Sequence, residues 1–116
     1  MSTVYVTHEP TKWDEAAQRH VPLFNLAPAA EYGTLEVLMP AGASLISTVP
    51  MVRTMRDKLA KFSDDDFILP VGDPASIAAA CAIAAEMNAG RVKLLRWDRQ
   101  TRKYLVIQLD TYGRAV

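Results

Sequence analysis

Between Phe67 and Trp97 the chain reads as an apolar strand, a Gly72-Asp73-Pro74 turn, a helix that is apolar almost all round, and a second strand. A helix with no polar face has to be covered on two sides, so this unit is expected at the centre of the fold. It commits the chain to an α/β core. Function is left to the basic hairpin that follows.

The signals inside this unit are specific. Phe67 to Val71 is too apolar for a strand with a wet face, as in the interior of a parallel sheet. Pro70 cannot donate to a ladder, so it either lies at the strand's end or marks an edge. Gly72 makes the turn, Asp73 is a favoured N-cap and Pro74 suits the first helical position. The helix runs to about Asn88, with Gly90 as its C-cap. Arg91 to Asp98 and Lys103 to Asp110 then form a hairpin around Arg-Gln-Thr-Arg. Alternation points Leu105, Ile107 and Leu109 inward and Tyr104, Val106 and Gln108 outward.

Upstream, Val4 to His8 and Thr34 to Met39 read as strands, the second closed by Pro40 and Gly42. Residues 1–33 form an irregular arm with one short strand, prolines at 10, 22 and 28, and a helical turn over Trp13 to Arg19. Ser47 to Pro50 opens a helix whose Val52, Met55, Leu59 and Phe62 share one face; it stops near Ser63. The expected fold is a small α/β sandwich formed by residues 1–116 as one domain, with residues 34–116 as its core. A central parallel sheet carries two main helices and a C-terminal antiparallel β-hairpin.

With 116 residues, half of them apolar, the chain has enough core for one globular domain, and disorder is excluded. Its longest apolar stretch, Ala75 to Ala85, is interrupted by Ser76 and too short to span a bilayer, and Met-Ser-Thr-Val-Tyr-Val lacks the basic segment and apolar run expected of a signal peptide. A lone Cys81 fits a reducing compartment, so a cytoplasmic location is expected. The net charge of zero conceals a division: residues 1–90 carry six basic and eleven acidic side chains, residues 91–116 seven and two. Such asymmetry suggests a partner for the basic end, although a contact within the chain or a dimer accounts for it equally well.

The candidate binding residues are therefore Arg91, Lys93, Arg96, Trp97, Arg99, Arg102, Lys103 and Tyr104. Phosphates favour Arg and Lys, and unstacked bases favour aromatic faces, so this ribbon suits nucleic acid. Alternation sets Arg91, Lys93 and Trp97 on one face and Arg96 on the other. The competing explanation is a solvated edge hairpin whose charges prevent aggregation.

Other motifs read as structure. Too few glycines surround Gly72 for a phosphate loop, and Asp73 puts a carboxylate where a phosphate would sit. Asp64-Asp65-Asp66 is a solvated connector, since three consecutive carboxylates cannot all face one ion. His8 and His20 lack zinc-ligand spacing, and Cys81 is a buried small hydrophobe. No nucleophile elbow or carboxylate pair indicates an enzyme, and neither a cofactor nor a metal is expected. The apolar surplus of the central helix (Ile77, Cys81 and Ala84 on one side, Ala79, Ile83 and Met87 on others) points to a homodimer.

The strand, Gly-Asp-Pro turn and helix of residues 67–73 onward, followed by Val-Lys-Leu-Leu-Arg-Trp-Asp-Arg-Gln and Lys-Tyr, resemble a group of short proteins encoded by tailed bacteriophages. The likeness covers Val4 to His8 loosely and Leu59 to Asp110 better. It implies phage origin, a bacterial cytoplasm and a host-interaction or genome-handling role. It assigns chemistry to no residue. Three functions follow as expectations: a non-enzymatic accessory protein holding nucleic acid through the basic hairpin; a modulator of a bacterial host protein in transcription or defence; or a nucleotide or small-molecule binder at Gly72-Asp73-Pro74.

Overall fold

The computed structural model describes residues 1–23, 25–43 and 46–116. Its strands are β1 (Thr3–His8), β2 (Thr11–Asp14), β3 (Arg19–Pro22), β4 (Thr34–Met39), β5 (Phe67–Leu69), β6 (Arg91–Asp98) and β7 (Lys103–Asp110). The helices are α1 (Thr48–Lys58) and α2 (Pro74–Met87), and a 3-10 turn spans Ala27–Glu31. Five strands form one sheet in the order β4-β1-β5-β6-β7, and β2 and β3 pair separately. The four strands from β4 to β6 are parallel; β7 closes the edge antiparallel to β6.

This order dictates which face each connection covers. The chain steps from β1 outward to β4, then returns past β1 to β5 and on to β6. Right-handed crossovers in opposite directions must lie on opposite faces. Accordingly α1 and α2 cover one face, where Met51, Met55, Leu59, Phe62, Ala80 and Ala84 meet Tyr5, Leu38, Ile68 and Val92. The arm covers the other, where Ala29, Leu26 and Tyr32 meet Val4, Val6, Phe67, Leu69, Leu95 and Tyr104. The fold is the α/β architecture that the strand and helix patterns imply, with its C-terminal hairpin.

Four local expectations need correction. First, α2 is covered on one side only: Ala75, Ala78, Ala82 and Glu86 face solvent. Alanine methyls expose so little apolar area that an almost uniformly apolar helix can form an outer layer. Second, no helical turn spans Trp13 to Arg19. The Asp14 carboxylate accepts hydrogen bonds from the Ala16 and Ala17 N–H groups, Gln18 takes φ +52°, and the resulting turn pairs Trp13 with His20.

Third, Asp66 is no solvated connector. It is buried, accepting from the Thr3 N–H and the Ser63 N–H at 3.0 Å each, and so ties the start of β1 to the turn before β5. Asp64 and Asp65 remain exposed. Fourth, β7 does not divide into an inner and an outer face. Tyr104, expected outward, is buried, and Leu105 and Leu109, expected inward, are exposed. Val106 and Gln108 are exposed as expected, and Ile107 is half-buried. Both faces of the sheet are covered near β6, but the helices do not reach as far as β7.

Pro70 lies just past the end of β5, so no ladder bond is lost. There the buried Thr7 hydroxyl donates to the Val71 carbonyl at 2.6 Å and accepts from the Val71 N–H at 2.9 Å. A side chain of β1 thereby continues the ladder beyond the proline.

Candidate nucleic-acid interface

The β6–β7 hairpin is built on eight paired residues, from Arg91 opposite Asp110 to Asp98 opposite Lys103. Its loop is held by Asp98, which accepts from the Thr101 hydroxyl at 2.7 Å and the Gln100 N–H at 3.1 Å. These two donors, with Arg96 adding attraction, hold the Asp98 carboxyl below the usual carboxylate range. Arg102 closes the turn at φ +55°, its N–H donating to the Asp98 carbonyl at 2.8 Å.

The structure divides the eight candidate residues into two sets. Arg91 and Lys93 sit at the start of β6, about 16–23 Å along the strand from Asp98. Both are engaged: Arg91 Nε lies 3.4 Å from Asp64, and Lys93 Nζ lies 4.3 Å from the centre of the Phe67 ring. The second set gathers at the tip. Arg96, Arg99, Arg102 and Lys103 are exposed there, and among the described residues none forms an ion pair. Trp97 and Tyr104 stand opposite each other at the same end, edge to face, with ring centres 5.0 Å apart.

Tyr104 does not present its ring to solvent. The arm lies over it, and the Tyr32 hydroxyl donates to the Tyr104 carbonyl at 2.9 Å. Burial pushes its phenol above the usual range. Trp97 remains substantially exposed and is the aromatic surface that the tip offers.

Sequence alternation alone misses a cleft beside this pair. Leu26 of the arm and the Trp97–Tyr104 pair flank it, and Leu69, Val71 and Leu95 line it, around a volume of about 300 Å³. Its residues come from distant parts of the chain. Only the exposed position of Trp97 in the ribbon hinted at it.

The Gly72 turn is filled by the protein itself. The Asp73 carboxylate accepts from the Ser76 N–H at 2.9 Å, occupying the first turn of α2 where an anion would otherwise sit. The Asp73 N–H donates to His8 Nδ1 at 3.1 Å. His20 instead meets the Trp13 ring edge-on, with centres 5.4 Å apart. Among the described residues, no three His, Cys, Asp or Glu side chains converge as a metal-ligand set. Cys81 is half-buried, and desolvation raises its thiol above the usual range. Among the described residues, no helix is long and apolar enough to cross a membrane.

Residues 2–111 match the family described as Phage Pam3 gp32-like protein. Neither a curated protein nor a solved structure shows significant similarity to the chain.

Proposed function

The chain belongs to the Phage Pam3 gp32-like protein family, and on that premise we propose that this phage protein binds nucleic acid through the tip of its β6–β7 hairpin. One observation carries the reading: four cations, Arg99 and Arg102 in the turn and Arg96 and Lys103 on the strands that flank it, gather at one end of the hairpin with no ion-pair partner among the described residues. Paired surface cations are largely neutralised; an unpaired cluster retains its attraction for phosphates. The neighbouring Trp97 adds a face on which a base can stack. Arg91 and Lys93 have other partners, and the Tyr104 ring is largely buried, so these three contribute less to the backbone contacts.

Fluorescence polarisation of labelled single-stranded DNA, duplex DNA and RNA tests this across a salt series. Four phosphate contacts imply a log–log salt slope of about −3 on single strands. Replacing Arg96, Arg99 and Arg102 with alanine should reduce the slope to about −1 and abolish binding near physiological salt. Binding that survives this change would sink the reading.

A second reading has its own observation. Leu105, Val106 and Leu109 are exposed along β7, an edge strand whose outer ladder is open. Such edges accept another strand, from a bacterial host protein or from a second copy of this chain. The homodimer expected from α2 would use β7 instead, because α2 exposes mainly alanine. Sedimentation of the wild type beside Leu105→Lys/Leu109→Lys tests it: a dimer that the variant abolishes places the contact on β7.

A further inference from the structure

We infer that the cleft between Leu26 and the Trp97–Tyr104 pair takes one unstacked nucleobase, which makes the partner a single strand and not a duplex. The inference rests on the nucleic-acid reading above and narrows it. Three features of the cleft carry it.

The first is size and lining. About 300 Å³ is at the small end for ligand sites and suits one flat ring system. Leu69, Val71 and Leu95 give it an apolar floor, and the exposed Trp97, braced edge to face by Tyr104, supplies the aromatic face that a base stacks on.

The second is unused hydrogen-bonding capacity at its rim. The Tyr104 residue is only 8% exposed, yet among the described residues its hydroxyl has no hydrogen-bond partner. Nor is that oxygen sealed off as a buried unsatisfied atom. Asn25, also at the rim, uses Oδ1 to accept from the Ala27 N–H at 3.0 Å; its Nδ2 has no partner among the described residues. A hydroxyl and an amide are the groups that read the donors and acceptors on a base edge. A purely aliphatic ligand would leave both unpaired.

The third is charge. Arg96 on β6 borders the cleft, Arg99 and Arg102 stand on the adjoining loop, and Lys103 begins β7 beside it. A strand whose base enters the cleft therefore brings its backbone phosphates toward the cations of the adjoining loop. A base inside a duplex cannot enter without being unpaired and extruded, so the duplex meets only the loop.

The test uses the full chain and two labelled probes, a short oligodeoxythymidylate and a blunt duplex hairpin. One base's stacking implies a preference for the single strand of about tenfold at moderate salt. Leu26→Trp, which fills the cleft, should remove that preference and leave duplex affinity unchanged. Tyr104→Phe, which keeps the ring and the packing, should weaken single-strand binding several-fold and spare the duplex. In a Trp13→Phe background, the oligodeoxythymidylate should quench Trp97 fluorescence and the duplex should not. Equal affinity of the wild type for both probes overturns the cleft inference and leaves the hairpin reading standing, as does a preference retained by both variants. No binding of either probe overturns both.

Discussion

Among three consecutive aspartates, Asp66 alone should matter greatly for stability. The residue is 6% exposed; Oδ1 accepts from the Thr3 N–H at 3.0 Å, and Oδ2 from the Ser63 N–H at 3.0 Å and the Ser63 hydroxyl at 3.4 Å. Asp66→Ala removes both backbone bonds and leaves two half-buried donors. Each hydrogen bond to a charged group contributes about 1.5–3 kcal/mol. Water can reach Thr3 and Ser63 in part, which brings the combined loss to about 3 kcal/mol. For a chain of this size that lowers Tm by roughly 10 °C. Asp66→Asn should fall between, because its amide oxygen accepts from one donor while its NH2 faces the other. The exposed neighbour sets the scale: Asp65→Ala should stay within about 0.5 kcal/mol of wild type. Urea unfolding of all three variants, compared through midpoints at constant slope, measures the differences. If Asp66→Ala and Asp65→Ala differ by less than about 1 kcal/mol, the anchoring role assigned to Asp66 is wrong.

Gly72→Ala should cost about 2–4 kcal/mol in thermal or urea unfolding, from a left-handed backbone plus overpacking. Gly72 sits at φ +86°, and an added Cβ would lie 2.7 Å from the His8 Cβ; a loss below about 1 kcal/mol would contradict the crowding. Asp98 titrates below the usual carboxylate range, so its hold on the loop is complete above the ordinary aspartate pKa and is lost as pH falls through the lowered value. Amide exchange at Gln100 and Thr101 should therefore lose protection in acid, and Asp98→Ala should remove that pH dependence; an unchanged acid profile in the variant refutes it. Burial raises the Cys81 thiol, so the thiolate forms less readily in the folded protein. A disulfide reagent should react with it much more slowly in the native protein than in urea, and equal rates would place Cys81 at the surface.

The central unit was legible because several local signals agreed. Asp73 and Pro74 mark the start of α2, Gly90 its end, and apolar runs the two flanking strands; none needs a distant partner to act. The tip of the hairpin was legible for the same reason, since charge and alternation are properties of the chain itself. Asp66 was not. Whether a carboxylate in a run of three is solvated depends on which backbone donors arrive from residues far away, here Thr3. The hairpin of β2 and β3 is not legible in the sequence, because Asp14 suits a tight turn and a helix start alike and the prolines obscure the pairing.

Composition, capping chemistry and hydrophobic period by themselves determined an α/β chain with a basic C-terminal hairpin. Each of these acts over a few residues, and its energy does not await the rest of the fold. The tertiary structure alone decided which residues of β7 are covered, because alternation separates two faces without saying where along them a neighbour lies. It also decided which cations are free. Arg91 meets Asp64 and Lys93 meets Phe67, while the four at the tip form no ion pair among the described residues. The cleft beside Trp97 belongs to the same category: Leu26, Leu69 and Tyr104 become neighbours only when the arm crosses the sheet.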